Sequence, residues 1–94
     1  MVNLPSVEVL ESRHTFPCTY IFKVIGATEN NFTARVVALV RDEMGLEQDP
    51  PFTFRAARNG MHVSVTLEPH CISSQQVLAI YSRLTGMDGI VMLL

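Results

Sequence analysis

The segment FTFRAARNGMHVSVTLEP, Phe52 to Pro69, restricts the fold more than any other part of the chain. Two alternating runs flank Asn59-Gly60, the dipeptide of a type I′ hairpin turn, because both residues tolerate positive φ. A two-residue loop pairs Arg58 with Met61 and sets every pair outward from there. Phe52, Phe54 and Ala56 then share a face with Val63, Val65 and Leu67. The other face carries Thr53, Arg55, Ala57, His62, Ser64, Thr66 and Glu68. Pro50 and Pro51 precede the first strand, which suits an edge, since proline offers no N–H to a ladder.

Around this hairpin stand two similar blocks. CTYIFKVIG, residues 18–26, is rich in β-branched and aromatic residues and reads as one strand. Cys18, Tyr20, Phe22 and Val24 face the core; Thr19, Ile21, Lys23 and Ile25 face away. Phe32, Val36, Leu39, Val40 and Met44 recur at helical spacing, with Thr28 as the expected N-cap, Glu29 in the first turn and Gly45 as the stop. Ser73 and Gln76 have capping-box spacing ahead of a second stripe, Val77, Ile80, Tyr81 and Leu84, closed by Gly86. IVMLL, residues 90–94, is the last strand. Residues 1–15 read as a lead-in in which Val7–Glu11 form a helical turn or two, and residues 16–94 as a single domain. The order β-α-β-β-α-β predicts an α+β fold, a ferredoxin-like plait. Its four-stranded antiparallel sheet has strand order 4-1-3-2, with both helices on one face.

In that order IVMLL is an edge strand beside the first. Alternation assigns Ile90, Met92 and Leu94 to the helices and turns Val91 and Leu93 outward next to Ile21 and Ile25. The bare face is thus half apolar and half polar, with Arg55, His62 and Ser64 in the polar half. Each apolar side chain contributes roughly 1.5–3 kcal/mol when fully buried. The expectation is therefore a docking face for a second copy or another protein, unless residues 1–15 fold back over it.

The chemistry available is narrow. At 48% hydrophobic and 17% charged residues the chain can build a core, and a net charge of −2 gives no pull toward nucleic acid or anionic lipid. No stretch reaches the ~20 apolar residues of a membrane span. The first residues lack the pattern of a secretory signal, so a cytoplasmic protein is expected. Cys18 and Cys71 match no disulfide framework and read as idle thiols. His70-Cys71, placed in a loop, makes a poor chelate because neighbours in an extended segment point oppositely, so neither metal nor cofactor is expected. The outward positions Ile21, Lys23, His62 and Ser64 offer no aromatic for base stacking. The first loop, GATENN, has no CxxC pair for a soft metal and no arginine before Arg35 for a phosphoryl group. No catalytic relay stands out, and a non-enzymatic binding module is expected.

Three motifs, FP-x-x-Y-x-F-K-V-I-G, N-G-M-H-V-S-V-T and I-Y-x-x-L-T-G ahead of I-V-M-L-L, resemble the YbeD-like family of small bacterial proteins. The resemblance runs from about Phe16 to Leu94. It implies the same plait, a likeness to ACT-type regulatory domains that bind amino acids, and relatives that often hold a charge where Val91 stands. The ACT comparison points to Thr28, Glu29, Asn30 and Asn31 as the candidate ligand loop, at a subunit interface. This loop has the acidic Glu29 but lacks the second glycine that lets backbone amides approach a ligand.

Overall fold

The computed structural model describes residues 4–94; Met1–Asn3, the start of the lead-in, lie outside the described residues. The elements are α1 (Val7–Arg13), β1 (Cys18–Thr19), β2 (Phe22–Ala27), α2 (Phe32–Met44), β3 (Phe52–Ala56), β4 (His62–Leu67), β5 (His70–Cys71), α3 (Ser74–Thr85) and β6 (Ile90–Leu93). Four strands form one antiparallel sheet in the order β3-β4-β2-β6, and β1 pairs with β5 in a short second ladder. The core lies between the four-stranded sheet and the helices. Phe22 and Val24 of β2 and Val63, Val65 and Leu67 of β4 meet Phe32, Val36 and Val40 of α2 and Val77, Ile80, Tyr81 and Leu84 of α3.

The expected first strand is broken. Tyr20 donates its N–H to Pro69 O at 3.0 Å, but Pro69 has no N–H to return. The ladder lapses at Tyr20–Ile21 and resumes in the same register on either side, as β1·β5 and β2·β4. His70-Cys71 is therefore strand and not loop. Cys18 and Cys71 stand directly opposite each other, although nothing in their spacing brings them together.

The hairpin pairs as expected, Phe52 with Leu67, Phe54 with Val65 and Ala56 with Val63. Its turn is of another kind. Gly60 N–H closes on Ala57 O at 2.9 Å, Gly60 alone takes positive φ, at 71°, and the Asn59 carboxamide accepts Met61 N–H at 2.9 Å. A type I′ turn needs positive φ at both central residues. The register survives because the alternation of both strands specifies it independently of the turn.

Helix α2 starts later than Thr28. Asn30 and Asn31 both take left-handed φ, 54° and 56°, which asparagine tolerates better than most residues, and Asn31 is the N-cap. Gly45 ends the helix at φ 66°, as expected, with its N–H on the last-turn carbonyls of Arg41 and Asp42. Ser73 caps α3 by accepting Gln76 N–H at 3.1 Å, while the Gln76 side chain reaches back to Ile72 N–H at 2.9 Å.

The lead-in is helical in its described part. Ser6 accepts Val9 N–H at 3.1 Å, Leu10 enters the core, and Glu11 accepts the buried Ser74 hydroxyl at 2.9 Å. Helix α1 packs on α3. Residues 4–15 thus sit with the helices and leave the bare sheet face uncovered.

Phe32, the first residue of α2, packs its ring over Gly26 of β2. A methyl group at Gly26 would lie 2.2 Å from the Phe32 ring. Overpacking a rigid ring costs about 1–3 kcal/mol. Gly26→Ala is expected to lower the melting temperature by several degrees or more, measured by calorimetry; an unchanged transition would show that the ring moves aside freely.

Candidate functional site

Two surfaces carry the residues singled out in the sequence, one on each side of the sheet. The bare face is a set of rows fixed by register. One row runs Arg55, Ser64, Ile25, Met92. The next runs Thr53, Thr66, Lys23, with Leu94 bonded to Lys23 in both directions. Each row passes from polar on β3 and β4 to apolar on β2 and β6, apart from Lys23, which sits between Ile21 and Ile25.

The apolar half does not contain Leu93. Ile90 pairs with Gly26 and Met92 with Ile25, so one residue, Val91, is extra, and the strand shifts register there. A bulge of this kind reverses the alternation on either side of it. Leu93 consequently faces the core, 7% exposed, while Met92 and Leu94 are 48% and 58% exposed. The assignment of Leu93 to the open face, and of Met92 and Leu94 to the helices, is thereby overturned. Ile21 and Val91 remain exposed and Ile25 half-buried. The open apolar cluster is Ile21, Ile25, Met92 and Leu94, with Val91 beside it.

In the polar half, Arg55, His62 and Ser64 line one shallow hollow with Ile25 and Arg58. The structure brings all three together as the alternation implied. No carboxylate lines this hollow, so a relay that orients His62 toward Ser64 lacks its third member. Arg55 and Arg58 give the hollow donors for an anion or a backbone carbonyl.

The second surface lies on the helix side. Helix α2 packs on β4 and β2 but stops short of the edge strand β3. An open groove of about 880 Å³ runs between them. Phe52, Phe54, Ala56 and Val63 form one wall, and Ala34, Val37 and Ala38 of α2 the other. Thr28, Glu29, Asn30 and Asn31 close one end; Arg41 and Asp49, an ion pair, close the other. All four loop residues are exposed. Two bonds hold the loop: Thr28 N–H donates to Met61 O at 3.0 Å and Arg35 Nε–H to Asn30 O at 2.8 Å, while Arg35 is itself anchored through Nη1–H to Asp88 O at 3.1 Å. The Arg35 guanidinium also covers the Phe32 ring, 5.6 Å from its centroid. Arg35 is thus committed to holding the loop. The groove was not anticipated, because alternation shows which way Phe54 points and not whether a helix covers it.

Tyr20, Cys71 and Tyr81 are buried in the core, and Cys18 is half-buried. Tyr20 and Tyr81 share a buried hydroxyl–hydroxyl bond of 3.1 Å, and burial followed by that bond raises the Tyr81 phenol. Burial, and secondly the neighbouring Cys18, pushes the Cys71 thiol from its ordinary 9.0 up to about 11. Among the described residues no group of three or more His, Cys, Asp or Glu could hold a metal, and no helix is long and apolar enough to cross a membrane.

A thiol pKa raised in the folded state means that the unfolded chain releases its proton first. The contribution of Cys71 to stability is fully present below pH 9 and is lost as the pH rises to about 11. A neutral thiol is also a poor nucleophile. At pH 8 a disulfide reagent is expected to label half-buried Cys18 and to spare Cys71 until the chain unfolds; equal labelling rates would contradict the burial.

Comparison with known proteins agrees with this architecture. A UPF0250 protein of Shewanella sp. (strain ANA-3) is 32% identical over 90 residues, 96% of each chain. A UPF0250 protein of Nitrosomonas europaea is 29% identical over 84 residues, 89% of this chain and 97% of that one. The solution structure of protein HP0495 from H. pylori superposes with a TM-score of 0.65 at 17% identity, over 100% of this chain and 98% of that one, a likeness of fold alone. The family described as "Protein of unknown function (DUF493)" matches residues 11–94. The chain therefore belongs to the DUF493 family, the group of small bacterial UPF0250 proteins to which its YbeD-like motifs pointed.

Proposed function

We propose that the chain is a non-enzymatic, cytoplasmic binding or regulatory module, a ferredoxin-like plait of order 4-1-3-2 that acts through the open face of its sheet. The supporting observation is the apolar cluster Ile21, Ile25, Met92 and Leu94, which no element among the described residues covers, α1 being packed on α3 instead. A protein partner that lays apolar side chains over β2 and β6 also meets Arg55, His62 and Ser64 along the same rows. These polar groups orient it, while the apolar cluster supplies the energy.

The double variant Ile25→Lys with Met92→Lys is expected to keep the far-ultraviolet dichroism and melting temperature of the parent. It should lose any protein that the immobilised parent captures, and undiminished capture would refute the reading.

A second reading, an ACT-type sensor of a small ligand, draws on the groove between α2 and β3, which has Thr28–Asn31 at its mouth. Apolar walls with a few convergent polar groups are the usual make-up of a small-molecule site. Occupancy at 100 times the dissociation constant adds about 2.7 kcal/mol of stability. A thermal-shift screen against free amino acids should then show a specific rise, reduced by Glu29→Ala. A flat screen across all of them would remove this reading.

A further inference from the structure

Strand β3 is exposed at every position, including on the side that should be its core side; Phe54 is 64% exposed. Its backbone is half unpaired as well. Ala57 N–H bonds His62 O at 2.8 Å and Glu68 N–H bonds Pro51 O at 2.9 Å. In an antiparallel ladder such bonded pairs recur every second residue, so Thr53 and Arg55 face β4. Phe52, Phe54 and Ala56 therefore aim their N–H and C=O groups away from the sheet. The same three residues put their side chains into the groove beside α2. An apolar face next to an unpaired edge invites another strand.

We infer that β3 pairs antiparallel with β3 of a second copy across a two-fold axis at Phe54, joining two four-stranded sheets into one of eight. This goes beyond the open-face reading and does not depend on it. The observation that selects a second copy is self-complementarity. With Phe54 opposite Phe54 of the other copy, Phe52 falls opposite Ala56, so large meets small and every outward N–H and C=O of the three residues is used. Arg55 then lies opposite Thr53. Sliding the pairing by two residues one way sets Arg55 against Arg55, a like-charge pair. Sliding it the other way brings in Pro50, which has no N–H. The chosen register also carries the turn with Arg58 alongside the segment holding Asp49 of the second copy, opposite in charge. On the helix side the two grooves merge into a single trough between the two α2 helices. Phe52 and Phe54 of both copies fill its floor, and the two Thr28–Asn31 loops flank it.

Molar mass measured by sedimentation equilibrium over a range of concentrations tests this. The parent is expected to be a dimer. Phe54→Lys, which faces two charges across the axis, should weaken it about thirtyfold or more, the effect of losing a central anchor. Met92→Lys should leave it intact, which separates this interface from the open face. In a Cys18→Ser background, Phe54→Cys should cross-link with its own copy under mild oxidation, since paired Cα atoms about 5.5 Å apart suit a disulfide. Thr53→Cys, which faces Arg55, should not. A chain that stays monomeric at all concentrations with no cross-link through position 54 would overturn the inference. So would a dimer insensitive to Phe54→Lys, or a monomer whose β3 edge instead binds an extended peptide of another protein.

Discussion

The seating of the Phe32 ring on Gly26 is the constraint on which the other packing depends. It brings the first turn of α2 down onto β2 at the point where β2 also carries the β6 bulge. Arg35, one turn further on, covers the same ring and ties the loop before α2 to the loop before β6. One aromatic side chain thus fixes the helix start, the angle of the loop and the position of the last strand. Helix α2 lies over the central strands β2 and β4 and leaves the edge strand β3 exposed. The open groove follows from that placement.

The antiparallel α+β architecture was legible because it rests on patterns that reinforce one another. The paired alternations of β3 and β4 gave the register even though the turn between them was misread. The stripe of α3 matches its buried face, and that of α2 does so at Phe32, Val36 and Val40, with Val37 buried beside them and Leu39 and Met44 half-buried. What failed were single-residue events. Pro69 interrupts a ladder whose alternation on either side is unbroken. Val91 adds one residue to β6, and no feature of an unbroken apolar run, IVMLL, reveals where a bulge falls. Asn30 and Asn31 postponed the start of α2 by adopting a conformation that the helical stripe does not encode.

The candidate sites show the same division. The placement of Arg55, His62 and Ser64 on one face is legible because a face is a local property of strands. Ile21 and Ile25 were found for the same reason, and Leu93 was misplaced because its face depends on the bulge. The groove needed knowledge of where α2 ends up relative to β3, which is a tertiary distance. Likewise the apposition of Cys18 and Cys71 follows from the long-range pairing of β2 with β4, continued past Pro69.

The bulge at Val91 has an effect on assembly as well as on parity. A sheet with two flat, open edges can add copies at both ends and grow without limit. Here β6 is kinked by its extra residue and presents a twisted, irregular margin, a poor template for a further strand. Strand β3 is regular but short, and Pro50 and Pro51 bound it on one side. Growth is thus open at one margin only. The proposed pairing of two copies there would consume the one templating edge of each, so the association would end at a pair instead of a fibre.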